Sequence, residues 1–324
     1  MHSRDLDKGS TRFRVVNYQR WLECQGVVLD YVNRENISAR QVLRYDVLFN
    51  QKCRLSAWSS AHLRKAAKRL VFDFDDAIWT RARKPYGAFV GNRVRKRLDW
   101  WFEAADVVTT SSEYLANYAR RVTQAVRVIP MAVDTDEWQP MPRPVDGKVR
   151  IGWAGRPGNL RYLKAIEPAL AEVQRSRPHV EYAIYSGEKP DLTVPFYYQP
   201  FAARTEARFI QSLDIGLLPL DDGEFTKGKS PIKAIQYLAC GVPVVGNVVG
   251  AGCEIVTAAN GLDVAQTGGW TASLLRLIDD ATERQRCGIA GRAHIITHNN
   301  LVNTRNALLA AITGRDTPAP TGHD

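Results

Sequence analysis

The feature that most constrains the fold is a regular alternation of short, almost uninterrupted apolar runs with longer helical patterns. In the first half, runs at 27–32, 45–50, 70–74, 106–110 and 126–131 predict strands, and stretches at 12–24, 60–69, 89–104 and 112–122 predict helices. The second half repeats the pattern, with strands expected at 149–154, 180–186, 215–220 and 242–246. Helices are expected there at 160–175, 205–212, 231–239, 270–279 and 283–294. Apolar runs without strict alternation suit strands buried on both faces, as in parallel sheets covered by helices. So many strand–helix units in 324 residues call for two α/β lobes, each a doubly wound parallel sheet. The break between them is expected at 139–148 (QPMPRPVDGK), where three prolines and a glycine suit a semi-rigid linker. The expected domains are 1–142 and 143–314, with a disordered tail over 315–324.

In such folds ligands sit beyond the carboxyl ends of strands, so the loops that follow strands hold the candidate site. A doubly wound domain ordinarily opens with a buried strand before its first turn and helix. Here the sequence starts in the turn, Lys8-Gly9-Ser10-Thr11-Arg12, and the first N-terminal strand is expected to be missing. Five widely spaced cysteines (Cys24, Cys53, Cys240, Cys253 and Cys287) show no CxxC or metal-ligand spacing and suit a reducing compartment. No apolar run reaches the roughly 18 residues of a membrane helix, and the polar N-terminus has no signal-peptide core. A cytoplasmic location is expected.

Charge is uneven. Residues 1–147 hold 25 Lys/Arg against 17 Asp/Glu, and residues 148–324 hold 19 against 17, which divides the net +10 into +8 and +2. The densest run, Arg81 to Arg97 (RARKPYGAFVGNRVRKR), has seven cations and no acid. It reads either as a surface for an anionic partner or as the solvated face of a helix whose apolar side is buried. No RNA-binding or zinc-finger signature supports nucleic acid as that partner.

The most informative segment is 216–250, GLLPLDDGEFTKGKSPIKAIQYLACGVPVVGNVVG. A strand ends near Pro219, a polar loop follows, and Ser230-Pro231 has the composition of a helix N-cap and first helical residue. The free N–H groups of a first helical turn favour an anion, and Lys229 and Lys233 flank this one. A diphosphate suits that pattern; so does a capped surface helix with two solvated lysines. The wider order of motifs is more specific.

Leu238-Ala239-Cys240-Gly241-Val242-Pro243-Val244-Val245 resembles the A-x-G-x-P-V-V turn of family 4 glycosyltransferases of the GT-B fold, with two Rossmann-like lobes. GKSPIKAIQYLACGVPVVG is similar to a subgroup with a G-K-x-x-x-K pattern beside that turn. Arg156 follows the first strand of the second half, Gly252-Cys253-Glu254-Ile255-Val256 stands for G-x-x-E-I-V, and Gly261-Leu262 for N-G-L. Phe72-Asp73-Phe74-Asp75-Asp76 occupies the place of V-H-D, and SSEYLANYA and IPMAVDTDEWQP resemble the end of the first lobe. The likeness covers nearly the whole chain.

The resemblance implies transfer of a sugar from a nucleoside diphosphate to a hydroxyl acceptor, with retention of anomeric configuration and no metal or other cofactor. Cations and helix N–H groups would take up the charge growing on the leaving phosphate. It assigns that role to Lys229, Ser230 and Arg156, with Lys233 beside them, and places Asp75 where the family has its sugar-contacting His. Donor contacts are implied for Gly228, Gln236, Glu254 and, in the N-terminal turn, Gly9, Ser10 and Arg12. It also implies that a helix near 301–312 crosses back to the first lobe. The basic first half, the acceptor side in this family, implies a glycan or lipid-linked acceptor and peripheral contact with an anionic membrane at its inner face.

Two departures stand out. The family's Glu-x7-Glu pair falls on Gly228 and Gln236; Gln236 retains hydrogen-bonding capacity for a ribose hydroxyl, whereas Gly228 offers no side chain. A nucleotide-sugar-binding protein with weakened catalysis is therefore one alternative. Another is a magnesium-dependent phosphatase or a GT-A-type site built on the DFDD carboxylates, although Asp76-Ala77-Ile78 lacks the residues that follow the phosphatase motif. No G-x-G-x-x-G follows a strand and no G-x-S-x-G occurs, which removes the dehydrogenase and hydrolase-elbow readings.

Overall fold

The apolar runs form two separate sheets, each parallel throughout, in a computed structural model that describes residues 9–33 and 35–315. The first half contains helices α1 (Gly9–Arg14), α2 (Gln19–Cys24) and α3 (Ala39–Val42), strand β1 (Val47–Gln51) and helix α4 (Ala57–Ala66). There follow β2 (Arg69–Phe74), α5 (Ala88–Ala104), β3 (Val107–Thr110), α6 (Glu113–Ala119) and β4 (Val126–Val128). The second half runs β5 (Val149–Ala154), α7 (Leu160–Ala165), α8 (Glu167–Ser176), β6 (Val180–Ser186), β7 (Phe196–Pro200), α9 (Glu206–Gln211) and β8 (Ile215–Leu218). It continues with α10 (Glu224–Lys227), α11 (Ile232–Ala239), β9 (Val244–Gly246), β10 (Gly261–Asp263), α12 (Trp270–Asp279), α13 (Ala281–His298) and α14 (Leu301–Thr313).

One compact unit comprises the described residues up to 132 together with 227–230 and 301–315; the other comprises 133–226 and 231–300. The first unit holds a four-stranded sheet in the order β1-β2-β3-β4. Its β2 shows why the sheet must be covered twice. Successive side chains alternate faces, so Leu70, Phe72 and Phe74 enter a cluster with Leu98, Trp101 and Phe102 of α5, while Val71 joins Tyr18, Leu22 and α14 on the other face. Phe74 and Phe102 stack with centroids 5.3 Å apart, and Phe72 lies 5.7 Å from Trp101. Each such pair contributes about 0.5–1.5 kcal/mol beyond its buried area.

The division does not fall at 142/143. Val133 donates its N–H to Asn299 O at 2.9 Å, and Arg292 binds Thr135 O and Ala239 O at 2.8 and 2.9 Å, so the stretch from 133 onward is held by the second unit. Conversely, α14 belongs to the first. Leu308, Leu309, Ala311 and Ile312 are buried there, Tyr18 and Thr304 share a 2.7 Å hydrogen bond, and Arg69 donates to Ala311 O at 3.0 Å. Proline content marked a loop at 139–148, but packing places the boundary earlier. Apart from Arg315, the tail expected at 315–324 lies outside the described residues.

Other expectations shift for local reasons. Residues 27–32 form no strand: Val27 and Leu29 pack beside the α14 cluster while Val28 is exposed, giving strand-like alternation with no partner strand. The single helix expected at 160–175 divides into α7 and α8 because Pro168, lacking an N–H, fits only a first turn. The expected turn at Gly9–Arg12 is already helical as α1, and no strand precedes it among the described residues. At Gly241 the chain leaves α11 with φ +66°, a left-handed conformation that glycine adopts without a Cβ clash.

The second unit has a six-stranded sheet in the order β10-β9-β8-β5-β6-β7. Strands β6 and β7 extend to one side of β5, and β8, β9 and β10 to the other, so the order reverses between β5 and β8. Crevices beyond the carboxyl ends of strands at such a switch point are where doubly wound folds bind ligands.

Candidate functional site

In the first unit, the ends of β1 and β2 carry a polar network that α1 closes. Period-two alternation turns Asp73 away from the Phe72 and Phe74 face and toward α1. There Asp73 accepts from Arg14 Nη2 at 2.5 Å, Thr109 Oγ1 at 2.8 Å and Gln51 Nε2 at 3.3 Å. Arg14 also donates to Ile129 O, and both partners of the pair are buried. Thr11 Oγ1 donates to Gln51 Oε1 at 3.0 Å, and Gln51 Nε2 reaches Ser10 O at 3.2 Å. These contacts explain why 9–14 is a helix pinned to the sheet and not an open turn.

One residue further out, Lys52 gathers the acidic loop. Its ammonium pairs with both Asp75 and Asp76 and donates to Ser10 Oγ at 2.7 Å. Lys52 is also the one non-glycine with positive φ (55°) among the described residues, held there by its N–H to Asp73 O at 2.8 Å. Left-handed geometry costs a side-chain-bearing residue about 1–2 kcal/mol, and such strain concentrates at functional sites. Burial pulls the Lys52 ammonium down, but the two carboxylates outweigh it and hold the group above its ordinary value. Burial pushes Asp75 up against the pull of Lys52, with Asp76 and Asp73 adding to the rise. Asp76 is drawn the other way: burial raises it, but Lys52, Lys229 and the Ser230 N–H together bring it below the usual carboxylate range.

The segment 227–230 packs in this same unit. The Ser230 N–H donates to Asp76 Oδ1 at 3.5 Å, and Lys229 acts on Asp76 electrostatically. Gly228 is enclosed: a Cβ there would lie 2.6 Å from Ala77 Cβ and 3.0 Å from Leu115 Cδ2. The position that carries a Glu in the family therefore has no room for a side chain in this conformation. Ser230 is not the helix cap. Helix α11 starts at Ile232 with Pro231 as its cap residue and no side-chain cap bond, and Ser230 Oγ is buried without a hydrogen-bond partner.

In the second unit, Arg156 follows β5 and is exposed at the switch point, where the loop after β8 also begins. Helix α11 is fixed by Tyr237, whose hydroxyl accepts the Ala154 N–H at 2.8 Å. On the same helix Lys233 is ion-paired with the buried Glu206, so its charge is already matched. Gln236 is fully buried, and neither its amide oxygen nor its amide nitrogen has a hydrogen-bond partner. An unpaired buried amide costs about 1–3 kcal/mol. Glu254 ends a short 3-10 turn, Gly250–Glu254, and is exposed.

The structure thus brings Ser10, Asp75, Gly228, Lys229 and Ser230 together in the first unit, with Gly9 and Arg12 on the same helix as Ser10. Arg156, Lys233, Gln236 and Glu254 belong to the second. Sequence reasoning missed Lys52 and Arg14. A single cation gives no pattern of its own, although Lys52 lies two residues past a predicted strand and Arg14 two past the N-terminal turn. The carboxylates of the DFDD segment do not form a shared metal cradle, since Asp73 faces Arg14 while Asp75 and Asp76 face Lys52. Among the described residues no group of three or more His, Cys, Asp or Glu side chains is placed to hold a metal.

Comparison with solved structures decides the fold. A glycosyltransferase from Rickettsia africae ESF-5 superposes with a TM-score of 0.69 over 95% of each chain at 12% identity. The fold is GT-B. Anabaena Alr3699/HepE in complex with UDP-glucose matches with a TM-score of 0.64 at 13% identity, covering 92% of this chain and 89% of that one. Sucrose-phosphate synthase (tll1590) from Thermosynechococcus elongatus gives 0.63 at 17% identity, covering 87% and 79%. No protein-family model matches the chain, and no curated protein matches it. Among the described residues no helix is long and apolar enough to cross a membrane.

Proposed function

We propose that this chain is a glycosyltransferase similar to family 4, moving a sugar from a nucleoside diphosphate donor to a hydroxyl acceptor. The observation that carries the reading is Gln236: a fully buried amide with no partner, on α11, which leads from the loop after β8 to β9 of the GT-B sheet. A ribose hydroxyl both donates and accepts and suits that amide, which has no exposed atom here and has to be uncovered before a ligand meets it. By the resemblance, Arg156 in the second unit, and Lys229 and the buried Ser230 hydroxyl in the segment of the first that leads into α11, are each assigned a phosphate contact. As the glycosidic bond to the donor breaks, charge on the departing phosphate rises and these groups stabilise it more strongly than in the ground state. The leaving phosphate itself accepts the acceptor's proton, so no separate base is assigned. Retention and independence of metal follow from the resemblance to family 4, as do a donor-side second unit and, apart from its segment 227–230, an acceptor-side first unit. Similar structures include Anabaena Alr3699/HepE complexes with UDP and with UDP-glucose, which supports a nucleotide-sugar donor.

In this reading Lys233 positions α11 through Glu206 and does not meet phosphate directly. Asp75, paired with Lys52, is assigned to hold that lysine at the end of β1. A second reading is favoured by one observation: Gly228 is closed off by Ala77 and Leu115, so no carboxylate reaches the donor sugar from there. A binding protein with little turnover would have that property. Release of nucleoside diphosphate from a panel of UDP-, GDP- and ADP-sugars, with and without chelator, separates the two. Turnover that survives chelation and is lost in Lys229→Ala supports transfer. Binding without turnover supports the second reading, and strict magnesium dependence contradicts both.

A further inference from the structure

Lys52, Asp76 and Ser230 form one chain of contacts, and all three lie in the first unit. Asp76 stands between the other two: its Oδ2 pairs with the Lys52 ammonium and its Oδ1 accepts the Ser230 N–H. The two contacts are unequal. At 3.5 Å the Ser230 bond is beyond the usual N–H···O range and holds the carboxylate loosely. The Lys52 pair joins opposite charges whose side chains are only 17% and 27% exposed, where salt screens them weakly. Against the upward push of burial, Lys52 does most to hold Asp76 below the usual carboxylate range, and Lys229 and the Ser230 N–H add to it.

Lys52 is also anchored independently of Asp76. Its N–H is bound by Asp73 O at 2.8 Å, Asp73 is fixed in turn by Arg14, and the ammonium holds Asp75 and, at 2.7 Å, Ser10 Oγ. A phosphate that takes the Ser230 N–H therefore leaves Asp76 beside a cation that stays in place, and no carboxylate is stranded without a counter-charge. Ser230 Oγ, buried without a partner, is a second group on that residue suited to such an anion. We propose that Lys52 is a positioning residue for the donor phosphate. Acting through Asp76, it holds the carboxylate that the phosphate replaces at Ser230, and Asp76 is a built-in competitor for that place. The proposal rests on the reading that assigns Lys229 and Ser230 to phosphate.

The test is a double-mutant cycle read by calorimetric titration of the full chain with UDP, GDP and ADP. Asp76→Asn removes the competing charge and should tighten nucleoside diphosphate binding about fivefold, the worth of one ordinary hydrogen bond. Lys52→Met throws Asp76 back on Ser230 and Lys229 and should weaken binding about tenfold. In the Asp76→Asn background the same Lys52→Met change should weaken it less than about threefold, because the group it acts through is gone. A lysine with a merely structural role would cost as much in either background. Asp76→Asn leaves Lys52 matched by Asp75 and should melt as the parent does, so its affinity alone decides the matter if Lys52→Met does not fold. Binding by Asp76→Asn no tighter than by the parent, or an equal loss from Lys52→Met in both backgrounds, would overturn the proposal and leave the donor reading standing. Absence of binding by the parent and by Asp76→Asn alike would overturn both.

Discussion

Arg14 and Asp73 form an ion pair that is almost wholly removed from water, and its worth is asymmetric. Removing one partner leaves a buried charge unmatched, which typically costs about 3–5 kcal/mol, whereas replacing both with apolar groups is often nearly neutral. Arg14→Met is therefore expected to destabilise the first unit by about 3–5 kcal/mol in chemical denaturation, with much of the loss recovered in Arg14→Met/Asp73→Leu. The Thr109 and Gln51 bonds to Asp73 set how complete that recovery is. Gly228 makes the opposite case, where an added atom is the fault. Gly228→Ala should cost about 1–3 kcal/mol through overpacking against Ala77, and Ala77→Gly in the same chain should restore most of it. Additive losses in that double variant would show that the contact is not what excludes a side chain.

Among the elements, α8 carries the most direct pH dependence. Glu167 sits in its first turn, where Lys164, the Thr193 N–H and the Thr193 hydroxyl together draw its carboxyl down to about 2. A folded value below the unfolded one means the unfolded chain binds the extra proton. The stabilisation is thus complete above the ordinary Glu range near 4.3 and is lost as pH falls toward about 2. Glu167→Gln should flatten the acid limb of stability against pH, and an unchanged limb would contradict the assignment. Elements of this kind were legible in the sequence where an apolar run was long and fully buried, as in β2, β5 and β6. Strand β7 is a half-exposed edge and β10 spans three residues from a glycine, so neither carries a readable period. The site was legible as motifs, at the end of β5 and along α11. Its partners were not: Lys52, Arg14 and Glu206 act through contacts between distant stretches of chain, which no local pattern encodes.

At the scale of the whole molecule, the sequence crosses its own domain boundaries. The first unit is completed by α14 and by residues 227–230, so its stability depends on chain that follows nearly all of the second. Composition marks loops and cannot show this; burial of Leu308 and Ile312 does. The same segment 227–230 leads directly into α11, so the Lys229 and Ser230 groups assigned to phosphate are packed by one unit and continue into the other. In the present conformation the Ser230 N–H is given to Asp76, a carboxylate standing where an anion would bind. On the proposed donor role, a nucleoside diphosphate would displace Asp76 from that N–H.

Calorimetric titration of the full chain with UDP, GDP and ADP, repeated on Lys229→Ala and Gln236→Leu, reads the proposed donor site itself. Saturable binding of at least one nucleoside diphosphate is expected, weakened about tenfold or more by either substitution. Absence of heat with all three nucleotides, in a preparation that melts cooperatively, would contradict it, as would binding that neither substitution disturbs.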